Sequence, residues 1–222
     1  MSLSFPNETT EYRVARNALL DAEIALRHQL EEVAKLRRTL PPGGLIPEDY
    51  AFAALDGASA PLSSLFGSHD TLALYSFMYA PGDTRPCPAC TSFVDGLTGL
   101  MPQITQRIAV AAVAAAPHTK LSEFVETRGW TGIPFFSAAG TDYQARYFGE
   151  DTAGDTRTFM NIFTKRDGEI RHFWGSEMER AELDGHPRHL DTLWPIWGLL
   201  DLTPAGRGTW FPSVFEASHG ST

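Results

Sequence analysis

The sequence predicts an α/β domain with parallel strands, preceded by one long helix. Between Thr71 and Ala138, apolar runs typical of buried strands alternate with segments of helical spacing, and this alternation indicates a parallel sheet. The pair Asp167-Gly168 lies between two further apolar runs, which predicts a hairpin and therefore an antiparallel pair at the end of the sheet. The stretch from Thr9 to Leu40 contains no Gly or Pro and has apolar residues every three or four positions, which predicts the helix.

Composition and charge argue against several classes of protein. The chain has 222 residues, 43% of them hydrophobic, and a chain of this length forms one core without disulfides or a structural metal. Its formal net charge of −9 argues against nucleic-acid binding, which needs a basic surface. The longest uncharged apolar stretch, Ile108 to Pro117, is too short to cross a membrane. Because the first residues lack the pattern of a secretory signal, we expect a cytoplasmic protein with reduced thiols.

The helix-breaking run Pro41-Pro42-Gly43-Gly44 divides the chain. We expect a helical arm and linker over residues 1–44, the main domain over 45–205 and an irregular tail over 206–222. The apolar stripe of the arm allows two interpretations: packing across the main domain, or pairing with a second copy, which would make the protein a homodimer. The small residues Ala15 and Ala22 on the stripe disfavour a coiled coil, whose seam usually holds larger side chains.

Each element of the main domain is predicted from its spacing and its turn residues. Apolar runs predict four core strands: Tyr50–Ala53, Thr71–Tyr79, Arg107–Ala115 and Phe135–Ala138. Helical spacing predicts two helices: Cys87–Gln103 and Lys120–Arg128. The two hairpin strands are predicted at Arg157–Thr164 and Glu169–Trp174. A last helix, Leu190–Leu200, is expected to be disturbed by Pro195.

The motif Cys87-Pro88-Ala89-Cys90 is the sharpest chemical signal in the chain, because it follows a predicted strand and begins a predicted helix. Free amide groups and the dipole at a helix N-terminus stabilise a thiolate, so we expect Cys87 to be the nucleophile. Residues three positions apart share a helix face, so Cys90 is expected to resolve a mixed disulfide formed at Cys87. Pro88 suits the first helical turn, where a missing N–H costs little.

Two other interpretations of the cysteines stay open. A zinc site needs about four ligands, and the chain has no second cysteine pair. His186 and His189 could supply two nitrogens, but nothing in the sequence brings them to Cys87. Alternatively, both cysteines are buried and inert, since a free Cys often behaves as a small hydrophobic residue. Redox chemistry explains the position of the motif better than either, and it requires no metal or cofactor.

The order of strand, Cys-x-x-Cys, helix, βαβ unit and hairpin resembles that of the thioredoxin superfamily. Within it, the chain is most similar to a bacterial family known as domain of unknown function 899. The matching segments span nearly the whole chain: Asp49–Phe52, Leu62–Phe66, Tyr75–Met78, Cys87–Cys90 with Phe93, Gly129-Trp130 and Leu200–Pro204 with Gly206-Arg207. The resemblance implies a thioredoxin-like three-layer α/β/α sandwich with a mixed central sheet and a long N-terminal helix.

The chain departs from thioredoxins in two places. Arg85-Pro86 precedes the first cysteine, where thioredoxins have an aromatic residue and Gly. Asp155-Thr156-Arg157 stands before Thr158-Phe159, where thioredoxins carry a cis-proline that faces the disulfide and aligns extended substrates. The lack of that proline puts reduction of proteins in the ordinary thioredoxin manner in doubt.

Pro81, Thr84 and Cys87 resemble the Pro, Thr and peroxidatic Cys of peroxiredoxins, with a spacing one residue short, and Arg157 lies where those enzymes place a second catalytic Arg. Thr84 and Arg157 would then orient peroxide, and Cys90 would resolve the sulfenic acid of Cys87. Thr84 is equally well explained as a turn residue, and Arg157 as a surface charge.

We therefore predict a thiol-disulfide oxidoreductase in which Cys87 attacks and Cys90 resolves. The alternatives are a peroxiredoxin-like peroxide reductase and a redox-silent binding or oligomerisation module, since fold alone does not settle function. The expected partners are a disulfide-bearing protein, a small thiol or a peroxide, together with a recycling reductase that the sequence does not name. Neither nucleic acid nor membrane is expected as a partner.

Overall fold

The computed structural model describes residues 4–180 and 190–213, and the chain forms two compact units, residues 1–41 and 42–222. The first unit consists mainly of helix α1, Thr10–Arg38. It begins where the Thr9 hydroxyl accepts a hydrogen bond from the N–H of Tyr12 at 3.1 Å, as an N-cap residue does. None of its residues is buried. In the described part of the chain, no helix has the length and apolar character needed to span a membrane.

The second unit is built on one mixed sheet of seven strands. The strands are β1 Ala51–Ala54, β2 Ser59–Pro61, β3 Thr71–Ser76, β4 Ala109–Ala114, β5 Phe135–Ser137, β6 Phe159–Arg166 and β7 Glu169–Gly175. Their order across the sheet is β2-β1-β5-β4-β3-β6-β7. The three central strands β3, β4 and β5 are parallel, and the outer pairs β1/β2 and β6/β7 are antiparallel hairpins.

Helices cover both faces of this sheet, but unequally. The α-helices of the unit are α2 Pro88–Thr98, α3 Met101–Ile104, α4 His118–Arg128, α5 Tyr143–Arg146 and α6 Pro195–Asp201. Residues of α2, α3, α4 and α6 share one core cluster, whereas the opposite face is covered by a 3-10 turn at Leu62–Phe66 and the single turn α5. The mixed sheet and the order of its elements confirm the thioredoxin-like α/β/α fold that the resemblance implied.

Strand β3 shows why the core has two halves. Its side chains alternate between faces, so Tyr75 joins the cluster with Phe93 of α2, while Leu72 and Leu74 join the cluster with Phe66. All six residues of β4 are buried, as expected of a central parallel strand covered on both faces.

Turn chemistry determines the C-terminal hairpin, as predicted. Asp167 and Gly168 both have positive φ angles, 51° and 81°, which is the backbone of the tight turns that Asp-Gly favours between two strands. The hairpin is irregular at Ile162/Phe163, where the register of β6 and β7 shifts. The outer edge of β7 is partly covered by the chain at residues 43–46, through an isolated bridge between Leu45 and Arg171.

Several predicted boundaries were wrong. The helix predicted over Cys87–Gln103 is interrupted around Gly99, which ends α2 before the short α3 begins at Met101. The helix predicted over Leu190–Leu200 is a 3-10 turn at Asp191–Leu193 followed by α6, and Pro195 begins α6 instead of disturbing it, because Pro is well suited to a first helical position.

Other differences concern strand ends and short elements. Strand β3 ends at Ser76, three residues before the predicted end, and the first hairpin strand, β6, begins at Phe159, two residues after the predicted start. The short elements β2 and α5 were not predicted, since segments of three or four residues carry too little periodicity to be recognised.

Arg207 connects the described part of the C-terminal segment to the elements before it. Its guanidinium donates to the carboxylates of Asp191 and Asp201, with contacts between 2.8 and 3.3 Å, and it lies 5.1 Å from the centre of the Trp197 ring. These contacts join the 3-10 turn, α6 and the segment after it. Residues 206–213 are therefore held against the domain although they form no helix or strand.

His172 and Asn161 form a polar contact between the two hairpin strands. Nε2 of His172 on β7 is 2.9 Å from Oδ1 of Asn161, a fully buried residue whose amide also donates to the carbonyl of Tyr147 at 3.0 Å. Burial lowers the pKa of His172, while Glu177 opposes the shift. The folded protein therefore favours the neutral imidazole.

We expect acidification to destabilise the fold in part through His172. Because its folded pKa is depressed, the unfolded chain binds a proton more readily, so stability is lost as the pH falls through the unfolded value of about 6.5. The urea midpoint of wild type and of His172→Gln, measured at about pH 7.5 and about pH 5.5, tests this. The variant should lose less stability on acidification, and an equal loss in both proteins would contradict the assignment.

Candidate active site

The motif Cys87-Pro88-Ala89-Cys90 lies between strand β3 and helix α2. Cys87 is the N-cap of α2 and Pro88 its first residue. The backbone N–H of Cys87 donates to the carbonyl of Met78 at 3.0 Å, and its own carbonyl accepts from the backbone N–H and the hydroxyl of Thr91, each at 3.0 Å. The start of the helix is thus bonded to the chain that continues from β3.

The two cysteines are free thiols in different environments. Cys87 is partly exposed, whereas Cys90, on the first turn of α2, is only 2% exposed and belongs to the core. A disulfide substrate arriving from solvent can therefore reach Cys87 but not Cys90. This asymmetry is the one that the predicted order of attack requires.

The surroundings of Cys87 favour its thiolate. A hydrogen bond from the Cys90 thiol lowers the pKa of Cys87 to about 6, and the backbone N–H groups of Cys90 and Ala89 act in the same direction. Partial burial and the carboxylate of Asp83 oppose the shift. Helix N-terminal amides therefore contribute as expected, but the largest contribution is the partner thiol.

The surroundings of Cys90 favour its protonated form. Burial raises its pKa well above the usual range, and the neighbouring Cys87 adds to the shift. Hydrogen bonds to its sulfur from the Tyr75 hydroxyl and the backbone N–H of Met78 act in the opposite direction. The pair therefore favours a thiolate on Cys87 and a protonated thiol on Cys90.

Sequence reasoning missed Tyr75 as a site residue. Tyr75 lies on β3 and is 3% exposed. Its hydroxyl interacts with the Cys90 thiol and accepts a hydrogen bond from the Thr158 hydroxyl at 2.7 Å. Burial raises the pKa of Tyr75 well above its usual range, so the phenol stays protonated. The only available sequence signal was that Tyr75 belongs to the alternating face of β3 expected to pack against the Cys-x-x-Cys helix.

Thr158 lies just before β6 and directly follows the segment Asp155-Thr156-Arg157, in which the sequence lacks the thioredoxin cis-proline. No cis peptide bond occurs among the residues that the structure describes. The Thr158 hydroxyl is bonded to the Tyr75 hydroxyl. The segment that lacks the proline is therefore followed directly by a residue that contacts Tyr75.

The structure gives the other two predicted site residues separate surroundings. Thr84 is exposed in the loop before Cys87, and no hydrogen bond of its hydroxyl to Cys87 is seen in the described part of the chain. The guanidinium of Arg157 donates to the Asp151 carboxylate, with nitrogen–oxygen distances of 3.0 and 2.5 Å. The influences on the Cys87 thiolate described above include neither residue.

The described residues offer no support for the zinc alternative. No group of three or more His, Cys, Asp or Glu side chains within those ranges is arranged to hold a metal ion. His186 and His189, the proposed nitrogen ligands, lie outside the described residues.

Comparison with known proteins identifies the family. Residues 2–218 match the family described as "Bacterial protein of unknown function (DUF899)". The chain belongs to this family. The suspected relationship is thereby confirmed over nearly the whole sequence, including the N-terminal helix. No curated protein matches the chain.

Solved structures that are similar to this DUF899 chain include redox proteins. Peroxidoxin BcpB from Mycobacterium tuberculosis is 18% identical, with 70% of this chain and 95% of that one covered and a TM-score of 0.47. The exposed lipoprotein thioredoxin of Streptococcus pneumoniae is 13% identical, with coverages of 66% and 98% and a TM-score of 0.43. A mutant of PrxQ from Xylella fastidiosa is 14% identical, with coverages of 72% and 97% and a TM-score of 0.45. At these values, nothing about the activity of the chain follows from the likenesses.

We expect alkylation to distinguish the two thiols. In the folded protein, iodoacetamide should modify Cys87 with a rate that rises around pH 6, where its thiolate forms, and should leave the buried Cys90 unmodified. Mass spectrometry of the alkylated peptides over a range of pH measures both outcomes.

Replacement of Cys90 tests which group lowers the pKa of Cys87. In Cys90→Ala the thiol donor is lost, so the midpoint of the pH profile of Cys87 alkylation should move to higher pH. Cys90→Ser keeps a hydroxyl donor and should move this midpoint less. Equal midpoints in both variants and wild type would show that the helix N-terminus alone determines the reactivity of Cys87.

Proposed function

We propose that this protein is a thiol-disulfide oxidoreductase that uses Cys87 and Cys90 as its dithiol. The proposal is carried by the difference between the two cysteines. Cys87 is partly exposed and its thiolate is favoured, whereas Cys90 is buried, favours its protonated form and donates a hydrogen bond to Cys87. Thiol-disulfide exchange needs both, because the thiolate is the attacking species and the second thiol must wait until the first has reacted.

The reaction proceeds in two exchange steps. The Cys87 thiolate attacks one sulfur of a substrate disulfide, forms a mixed disulfide with it and releases the other substrate sulfur as a thiolate. Cys90 then loses its proton and attacks the Cys87 sulfur. The Cys87–Cys90 disulfide forms, the bond from Cys87 to the substrate breaks, and the remaining substrate sulfur leaves with the electron pair and takes up the proton.

Two electrons thus pass from the dithiol to the substrate disulfide. Return to the dithiol requires an external thiol or dithiol, which attacks the Cys87–Cys90 disulfide by the same chemistry in reverse. Since only Cys87 is partly exposed, we infer that the recycling reductant also attacks at its sulfur.

Dithiol exchange is favoured over peroxide reduction by the surroundings of Thr84 and Arg157. A peroxidase would need their hydroxyl and guanidinium aimed at the Cys87 sulfur, to bind and polarise the peroxide. Thr84 is exposed, and Arg157 is engaged by Asp151. The hydrogen bonds of Cys87 described above are instead with Cys90, with its own helix and with the Met78 backbone.

Oxidised glutathione tests the proposal as a simple disulfide probe. Wild type should acquire an intramolecular disulfide and release two molecules of reduced glutathione for each chain. Cys90→Ser should stop after the first step, with one glutathione bound to Cys87 as shown by intact mass and peptide mapping. Cys87→Ser should do neither, because the remaining thiol is buried.

Hydrogen peroxide provides the opposing measurement. If sulfenic acid forms on Cys87 faster than the mixed disulfide at equal reagent concentration, and wild type turns over peroxide with a thiol reductant, the peroxidase interpretation replaces the proposal. If Cys87 reacts with neither reagent in the folded chain, the pair is redox-silent and the binding-module interpretation replaces it.

A further inference from the structure

We propose that Tyr75, positioned by Thr158, promotes the second exchange step by donating a hydrogen bond to the Cys90 sulfur as it becomes a thiolate. The inference rests on the proposed dithiol exchange, and it concerns the resolving half of that reaction. It assigns Tyr75 and Thr158 as positioning residues, since both act through Cys90.

The geometry forms a continuous chain of hydroxyl and thiol groups. The Thr158 hydroxyl, just before β6, donates to the Tyr75 hydroxyl at 2.7 Å, which leaves the phenolic hydrogen to be donated to Cys90. The Cys90 thiol in turn donates to the Cys87 sulfur. The hydrogen bonds therefore lead in one direction, from the partly exposed Thr158 through the two buried groups Tyr75 and Cys90 to the partly exposed Cys87.

The phenol is held rigidly in this position. Tyr75 is paired with Met160 across the β3/β6 ladder, next to the pair of Ser76 and Phe159, which brings Thr158 beside it. Its ring lies 4.8 Å from that of Phe93 on α2, one turn beyond the cysteines. Because the ring is fixed by both the sheet and the helix, its hydroxyl needs no reorganisation when Cys90 ionises.

The need for such a donor arises only after the first step. Burial makes the Cys90 thiolate costly, and Cys90 must become one to attack. In the reduced protein its proton is shared with the Cys87 thiolate, but in the mixed disulfide Cys87 has lost that charge. The donors that remain at the Cys90 sulfur are the Tyr75 hydroxyl and the Met78 backbone N–H.

The step balances without any further reactant. The Cys90 S–H bond breaks, the Cys90–Cys87 S–S bond forms and the bond from Cys87 to the substrate sulfur breaks. The proton lost by Cys90 ends on the departing substrate sulfur, and the phenolic proton stays on Tyr75, whose O–H only stabilises the charge that develops on sulfur.

Reaction with Ellman's reagent separates the two steps in the full-length protein. Attack by Cys87 releases one nitrothiobenzoate, and attack by Cys90 on the mixed disulfide releases a second, so a stopped-flow absorbance trace shows two phases. In Tyr75→Phe we expect the first phase to keep its rate and the second to slow by about 10- to 100-fold, as expected for the loss of a hydrogen bond to a charged sulfur.

The pH profile of the second phase distinguishes this role from simple packing. If the phenol stabilises the Cys90 thiolate, Tyr75→Phe should shift that profile to higher pH, which a change in packing would not do. Thr158→Val should slow the second phase less than Tyr75→Phe, and Thr158→Ser, which keeps the hydroxyl, should restore it.

Tyr79→Phe is the matched control. Tyr79 follows β3 and is also buried, at 4% exposure, but its ring is covered by the Lys120 ammonium at 4.7 Å, and it is not among the groups that act on either thiol. The control should react as wild type does in both phases. The unchanged first phase in every variant also reports that the fold and the Cys87 site are intact.

The outcomes separate the two proposals. If wild type releases only one nitrothiobenzoate, dithiol exchange itself fails. If wild type releases two and Tyr75→Phe matches Tyr79→Phe in the rate and pH profile of the second phase, the role of Tyr75 is overturned while dithiol exchange stands. If Tyr75→Phe slows both phases equally, the phenol acts on the structure of the whole site, and the specific role in resolution is likewise overturned.

Discussion

The backbone of Met78 is the constraint on which the dithiol depends. Its carbonyl accepts from the N–H of Cys87, and its own N–H donates to the sulfur of Cys90. One peptide segment beyond β3 therefore contacts both the N-cap of α2 and the buried thiol on its first turn. Because β3 is bonded to β4 on one side and β6 on the other, the segment leaves a strand that is held from both sides.

The electrostatics of the site follow from that placement. With Cys87 at the N-cap and Cys90 one turn along, one sulfur lies among helix amides at the surface and the other lies in the core. Helix amides and the partner thiol lower the pKa of the first, while burial raises the pKa of the second. The nearby charge of Asp83 opposes this separation, because it raises the pKa of Cys87. The contrast comes from hydrogen bonding and burial, which do not weaken with salt as surface charge pairs do.

Two neighbouring residues before β6 have separate contacts. Thr158, just before β6, presents a hydroxyl to Tyr75. Tyr75 in turn acts on the buried thiol of Cys90. Arg157, the adjacent residue, is turned to Asp151, so two neighbours on one short segment serve different parts of the domain.

Much of this protein was determined locally and was therefore predictable. The long helix, the central strands, the Asp-Gly hairpin and the position of Cys87-Pro88-Ala89-Cys90 depend on periodicity, turn residues and helix ends, which neighbouring residues specify. The break near Gly99 and the start of α6 at Pro195 were misjudged, because whether such residues interrupt or begin a helix depends on what packs around them. The contact of Tyr75 with Thr158 joins residues 83 positions apart, and the pairing of Arg157 with Asp151 depends on the loop before β6. Only the tertiary structure decided these contacts, because sheet register brings distant side chains together and sequence spacing does not record it.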